Sequence, residues 1–375
     1  MAAIQNVLVV GGGFSGMAAA IVLARRGLAV DLVEIDAGWR SYGAGISLGG
    51  ATLRAFRQLG ILDAFMTHGA AGDGVRICAP HGPQITELPT PHLAGPDVPG
   101  SGAIMRPALA RILAEATRAA GVRVHLGQTF DSIAPDAEGV DVVLTNGRAN
   151  RYDLVIGADG LYSKVRRAWF PDAPAPQYSG QGVWRAVLPR PPGLDTITMW
   201  MGPHVKPGAN PVSKDEVYLF VTEPRPRNDH VDPATFVDHL KALLAPFAAP
   251  MLRQFHDQLG PQSTIVYRPL EGLLVPLPWH RGRVVLIGDA VHATTPHLAS
   301  GACIGIEDAL VLGQELERQA QVEDALRAFE HRRWERCRMV VHNSRRLGEI
   351  ELAGGPKDEH AAIVEASLRA LAEPI

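Results

Sequence analysis

Three stretches of this chain carry residue types that hold phosphate, sugar hydroxyls and a polar ring. In the first, Gly11, Gly13 and Gly16 stand in a G-x-G-x-x-G, and Glu34 follows eighteen residues after the last glycine. Gly11 suits a tight turn, Gly13 lets backbone approach a pyrophosphate, Gly16 lets a helix pack closely on a strand, and Glu34 accepts from ribose hydroxyls. In the second, Asp159-Gly160 closes the apolar run Leu154-Val155-Ile156-Gly157. In the third, Gly288-Asp289 closes Val284-Val285-Leu286-Ile287 and leads to His292, Pro296 and His297. Open α/β sheets bind ligands at such strand ends. A turn with a solvated aspartate is the plainer reading of Asp159.

The flanking elements decide what the glycines mean. Val7-Leu8-Val9-Val10 is an apolar run of strand length, a helix from Met17 to Arg26 stops at Gly27, and Val30-Asp31-Leu32-Val33 is a second strand ending on Glu34. Strand, glycine turn, helix, strand and acid together form a complete βαβ dinucleotide signature, with the helix N-terminus offering N–H groups to phosphate. Gly43-Ala44-Gly45-Ile46 reads as a flexible apolar loop able to approach a flat ring, and a helix follows from Ala51 to Leu59. Between Gly69 and Pro99 a composition rich in Gly, Pro, His and Asp marks an excursion. Arg106 opens another amphipathic helix. Strands are expected at Val122–Leu126 and Asp141–Leu144, with a hairpin at Asn146-Gly147. From Phe170 to His280 prolines are frequent, and strands are expected at 182–187, 196–201, 216–222, 265–268 and 273–277. Asp232 and Pro233 signal a helix with Phe236, Leu240 and Leu243 or Leu244 on its apolar stripe. The last informative helix opens at Gly301-Ala302-Cys303, and Glu307-Asp308 lie in its first turns, where acids suit the dipole.

Bulk properties exclude several classes. The 375 residues suffice for two domains, and a net charge of −3 provides no electrostatic reason to expect nucleic acid or an acidic membrane surface. Cys78, Cys303 and Cys337 make no metal or redox pair by spacing, so no metal is expected. Residues 1 to 24 carry no charged side chain, but they lack a cationic n-region, and three consecutive glycines would interrupt a spanning helix. The expectation is a cytoplasmic protein, monomer or homodimer, acting on a small molecule.

Taken in order, the three stretches resemble those of the single-component FAD-dependent aromatic hydroxylases, whose members include para-hydroxybenzoate, salicylate and 6-hydroxynicotinate hydroxylases. The resemblance runs from Val7 to about Leu316. It implies an α/β (α+β) fold: a Rossmann-like FAD-binding domain, an inserted, mainly antiparallel β substrate domain, and C-terminal helices. The expected boundaries are 1–72, 100–172 and 280–345 for the FAD domain, 73–99 and 173–279 for the insertion, and 346–375 for a terminal helical segment. FAD would lie on the first βαβ unit, with Glu34 on the ribose, Asp289 on the ribitol, and Arg106 and Asp159 close by. Phe14, Ser15, Ile35, Arg40, Gly45, Ile46, Phe130, Gly160, Pro296, Gly301, Ala302 and Cys303 complete the expected cofactor residues. NADH or NADPH and O2 would be transient co-substrates, since no second G-x-G-x-x-G follows a strand. Two departures stand out. Ala299-Ser300 replaces the Gly-Gln of the commoner family version, and Ser47 stands where the 6-hydroxynicotinate enzyme has a histidine.

In this family reduced flavin and oxygen give a C4a-hydroperoxide that transfers electrophilic oxygen to an electron-rich ring, while the protein supplies orientation and a dry pocket. His297 is the candidate base for a phenolic proton, against a plainer role in packing its loop. Trp184-Arg185 offers an aromatic wall and a cation for a carboxylate or phenolate; a surface arginine is the simpler account. Tyr218, His204 and Tyr267 are lesser pocket candidates. His292 reads as structural, and the basic run His331–Arg338 as a solvated helix face. Other chemistries on the same scaffold stay open, namely isoprenoid reduction, antibiotic-inactivating oxygenation, or flavin binding without hydroxylation.

Overall fold

The computed structural model describes residues 4–41 and 43–375; residues 1–3, where the uncharged N-terminal run begins, lie outside the described residues. A six-stranded sheet runs in the order 280–281, 284–286, 154–157, 6–10, 29–34, 123–126, parallel except at its 280–281 edge. Its central strands, NVLVV, LVIG and VVL, are nearly continuous apolar runs, as strands covered on both faces require. The helices Phe14–Ala24 and Gly301–Arg318 pack on each other, and the long helix Val322–Ala353 packs on the latter. A three-stranded meander, 130–135, 140–144 and 149–152, shares the same core, with Asn146-Gly147 at its hairpin.

A second, seven-stranded sheet has the order 265–272, 177–189, 216–224, 206–211, 197–200, 75–78, 84–88 and pairs antiparallel except between 197–200 and 75–78. It has its own core, built from Trp184, Leu219, Val221 and Tyr267 under the helices Phe236–Leu244 and Pro250–Gln258. Asp232 caps the entry to the first of these by accepting from the Ala234 N–H at 3.0 Å. A small sheet of 45–49, 101–105 and 70–72 lies where the two large units meet.

Four local expectations are corrected. Gly45–Gly49 is a strand paired with Ser101–Met105, so the flexible loop ends before Gly45. Residues 273–277 form no strand, although Leu273 and Val275 donate to the carbonyls of Ala293 and Val291. Lys206–Pro211 is a strand despite two prolines; its outer neighbour pairs only at Gly208 and Ala209, so neither Pro207 nor Pro211 owes that neighbour a donor. The first helix begins at Phe14, directly after the glycines. Gly354, in the left-handed conformation, closes the long helix, and a terminal helix follows from Lys357 to Ala372. Its last carbonyls are gripped by arginines: Arg54 donates to Ala372 and Leu371, and Arg336 to Ala370 and Leu371. Among the described residues, no helix is long and apolar enough to cross a membrane.

Candidate active site

Close backbone approach draws the three glycine-containing stretches together. Gly11 has φ +108°, and a Cβ there would lie 2.4 Å from the Ala158 carbonyl oxygen; a Cβ on Gly16 would lie 1.9 Å from the Gly11 oxygen. A Cβ on Gly288 or Gly305 would meet Ser15 Oγ at 2.4 and 2.2 Å. Ser15 thus joins the first stretch to the third by packing. Gly13 differs, since nothing lies within 4 Å of where its Cβ would be, and it precedes a helix whose first N–H groups have no side-chain cap. An open space before unpaired N–H groups is what a pyrophosphate needs.

Glu34 accepts from the Gly12 N–H at 2.7 Å and the Asp36 N–H at 2.8 Å, which places its carboxylate beside the glycine turn. Ile35 beside it is 73% exposed, an apolar surface next to an open site. Arg40 is turned outward and paired with Asp36, whose carboxyl it holds far below its ordinary range. Sequence reasoning missed Trp39. Its backbone is left-handed (φ 47°), its indole N–H donates to the Gly12 carbonyl at 2.9 Å, and Arg118 lies over its ring. The signal was an aromatic five residues after Glu34. Phe130 is a core residue with Lys164 over its ring, so its side chain forms no open wall. Asp159 caps the helix Lys164–Trp169, accepting from Lys164 N at 2.6 Å, Val165 N at 3.0 Å and the Ser163 hydroxyl. Gly160 makes the turn with φ +79°. The solvated-aspartate reading is therefore corrected, because this carboxylate is occupied by a helix end.

Past Asp159 the site opens between the two units. Asp289 has an accessible side chain, yet it stands deep enough that burial pushes its carboxyl above the usual range. The Arg106 cation lies near enough to pull the carboxyl back down. Arg106 is shifted in turn: burial, and then the neighbouring Arg185 cation, pull its pKa down, while Tyr218 and Asp289 pull it up. Arg185 donates to the Tyr218 hydroxyl at 3.0 Å, and Asn210 donates to Ser47 Oγ at 3.0 Å across the junction. A Cβ on Gly45 would lie 2.6 Å from Tyr218 Cβ, so glycine is what lets the strand Gly45–Gly49 pass beneath the second sheet. Ile46 packs against the first core. Pro296 and Ala299 are exposed at the start of the helix Gly301–Arg318, which has no side-chain cap, and Gly301 and Ala302 are half-buried there. Cys303 is buried, its thiol held well above its normal range by desolvation. Ala299 sits at φ 49°, a conformation natural to the glycine it replaces.

Strand alternation separates the candidates on the second sheet. Arg185 and Val187 share a face with Phe220 and Tyr218 opposite them, and this face meets the junction. Trp184 faces the other way, fully buried, stacked on His239 at 4.7 Å and donating to Glu223 at 2.8 Å. The expected aromatic wall is therefore corrected to a core residue. Tyr267, opposite Trp184, shares that buried face. His204 takes part in none of the site contacts described.

Of the two histidines, His297 is corrected and His292 stands as read. His297 belongs to the loop by Asp289, but its imidazole is only 2% exposed and points inward to Thr295 and Glu351. It does not present a base to the open space. His292 is structural, bonded to Asp308 at 2.6 Å; the charges of Asp308 and its neighbours outweigh burial and hold its pKa well above the ordinary value. Glu307 and Asp308, expected as dipole-facing acids, are wholly buried ion-pair partners: Arg333 binds Asp308 at 2.8 Å and Glu307 at 3.1 Å, and Arg336 grips Glu307 with two bonds. The run His331–Arg338 is thus no simple solvated face. His292, Asp308 and Cys337 lie close enough to hold a cation, but the Arg333 guanidinium already sits on Asp308.

Residues 5–344 match the family model described as FAD binding domain. The chain belongs to this family. It is 31% identical over 349 residues to an aurachin C monooxygenase/isomerase of Stigmatella aurantiaca, covering 92% of this chain and 89% of that one. It is 29% identical over 357 residues to the FAD-dependent urate hydroxylase of Klebsiella pneumoniae, covering 92% and 90%. The Klebsiella pneumoniae HpxO structure with FAD and uric acid superposes with a TM-score of 0.82 at 28% identity, over 99% of this chain and 93% of that one. A 2-methyl-3-hydroxypyridine-5-carboxylic acid oxygenase gives 0.77 at 26% identity, over 98% and 96%. The chain is an FAD-dependent monooxygenase whose relatives are of the class A aromatic hydroxylase type, and it shares their mixed α/β architecture.

Proposed function

We propose that this monooxygenase consumes NADH or NADPH and hydroxylates an aromatic or N-heteroaromatic small molecule of phenol or hydroxypyridine type. The observation that carries this reading is the pair Arg106 and Arg185, two neighbouring cations beside Tyr218, neither ion-paired to a carboxylate among the described residues. Adjacent like charges are costly unless a ligand supplies electron density between them. Among the relatives named above, the urate hydroxylase and the hydroxypyridine carboxylic acid oxygenase act on or bind N-heterocycles by their names, which supports the same substrate class.

FAD, when bound, would carry the electrons of NADH or NADPH to O2 and so deliver activated oxygen to the substrate. The residues fit it: Gly13 and the helix start would hold the pyrophosphate, Glu34 the ribose and Asp289 the ribitol, and the uncapped helix start at Gly301 and Ala302 would favour negative charge on the ring. Arg185 orients the anionic side of the substrate. Tyr218, whose oxygen already accepts from Arg185, keeps its own O–H free to exchange a proton with the substrate, the task that His297 cannot reach. The proposed division is the one drawn from the sequence, with residues 73–99 and 173–279 walling off the substrate. The test is a panel of hydroxylated benzoates and pyridines: at least one should stimulate NAD(P)H oxidation with matching oxygen uptake and hydroxylated product. Tight FAD binding with no stimulation by any aromatic would instead favour another oxidation on this scaffold.

A further inference from the structure

Behind the loop that carries Pro296 and Ala299 lies a polar cluster that the reaction does not use. His297 Nδ1 is 2.9 Å from Thr295 Oγ1, and its Nε2 is 3.4 Å from Glu351 Oε2 near the end of the helix Val322–Ala353. Glu351 is also bound by Lys206 on the second sheet, by His360 of the terminal helix at 3.2 Å, and by the amide of Gln181 at 3.4 Å. Burial opposes its charge, but Lys206 and the two histidines overcome this and hold the carboxyl far below its ordinary range. His297 goes the opposite way, since desolvation lowers its pKa and keeps the ring neutral. A neutral ring accepting the Thr295 hydroxyl at Nδ1 must carry its proton at Nε2, aimed at Glu351. At 3.4 Å that contact is long, and Nε2 makes no well-aligned hydrogen bond; Gln181 Oε1 beside it is likewise without a partner.

Gly348 shows that the close approach is built in. It lies inside the long helix, where glycine is unfavourable relative to alanine, and a Cβ there would meet Gln181 Oε1 at 2.7 Å and His297 Cε1 at 3.0 Å. The helix gives up a side chain to bring Glu351 next to the loop.

We propose that Glu351 is a positioning residue, a latch that ties the loop 295–300 at the cofactor's ring edge to Lys206 of the substrate sheet through the imidazole of His297. Lys206 shares its strand with Asn210, which reaches Ser47, so the sheet touches the cofactor side at both ends of one strand. Movement of that strand on substrate binding is thereby passed to the loop. This inference rests on the cofactor placement proposed above.

The test compares FAD-loaded full-length protein with Glu351→Gln, Lys206→Met and Gly348→Ala variants, using deuterium uptake of residues 295–303 and the visible spectrum of bound FAD. Each variant should speed exchange of that segment by about tenfold and shift the flavin band, while Glu349→Gln, an exposed change on the same helix, should do neither. Should Glu351→Gln fail to fold, Lys206→Met and Gly348→Ala decide the matter. Wild-type exchange and an unshifted spectrum in the folded variants overturn the latch. Protein that holds no FAD refutes the cofactor placement instead, and the exchange data on that protein still decide whether Glu351 steadies the loop.

Discussion

His297 follows His292 by five positions; both imidazoles are buried, and they are held in opposite ways. His292 sits in a cluster of full charges where Asp308 takes bonds from the imidazole, the Gly288 N–H and Arg333, and Arg333 and Arg336 saturate Glu307. His297 sits in a cluster with charge at Glu351 and Lys206 but leaves its own Nε2 poorly aligned. One end of the cofactor loop is fixed by ion pairs whose loss strands buried charge, the other by a neutral ring on a long contact. Each imidazole leaves one ring nitrogen unpaired, Nδ1 of His292 and Nε2 of His297, so what separates the two is the charge: His292 meets Asp308 in a short bond inside an ion-pair network, while His297 meets its carboxylate only at long range.

The contrast is broken most severely at the ion-paired end. Arg333→Met leaves Asp308 buried without its guanidinium and Glu307 with Arg336 alone, and should cost about 3–5 kcal/mol, seen as a large drop in denaturant midpoint or as insoluble protein. At the open site, Arg185→Met should raise the KM for an anionic substrate by the worth of one charged hydrogen bond, about 1.5–3 kcal/mol, with FAD content unchanged. An unaltered KM would remove Arg185 from substrate binding.

The two histidines also predict opposite pH slopes. For His292 the folded pKa is raised, so its contribution is complete below its unfolded value near 6.5 and is lost as pH rises through the folded value. For His297 the folded pKa is depressed, so the unfolded chain binds the extra proton and stability falls as pH drops below about 6.5. Thermal melts of wild type against His292→Gln should therefore diverge on acidification toward pH 6.5, while wild type and His297→Gln should converge or cross. Parallel curves for either pair would show that the charge state assigned there is mistaken. The smallest expected effect is at Ala299: replacement by glycine relieves a left-handed alanine and should stabilise the protein by about 1 kcal/mol.

The cradle was legible because its requirements are local. Glycines at 11, 13 and 16 between two apolar runs specify a backbone shape whatever surrounds it, and the βαβ unit stands where those residues put it. The polar clusters were not legible, because pairing joins residues far apart in the chain: Glu307 with Arg333 and Arg336, Lys206 with Glu351. A helix carrying His331, Arg332, Arg333, Arg336 and Arg338 looks solvated until the acids of another helix are known to lie against it. The placing of Trp184 failed for a subtler reason. Trp184 was offered together with Arg185 as one wall, but neighbouring residues in a strand face opposite ways, and Arg185 is the one on the side of Tyr218.

That alternation along Gln177–Pro189 has a practical meaning for how such an enzyme acquires new substrates. Arg185, Val187, Tyr218, Phe220 and Asn210 share the face that meets the junction, where the proposed substrate site lies, while Trp184, Ala186, Leu219, Val221 and Ala209 hold the sheet to its helices. Variation confined to every second residue can rewrite selectivity and leave the folding core alone, whereas a single-residue insertion before Trp184 would exchange the two sets and forfeit both. Diversity drawn at those five inward positions should yield folded variants at a far higher rate than diversity spread evenly over the same strands.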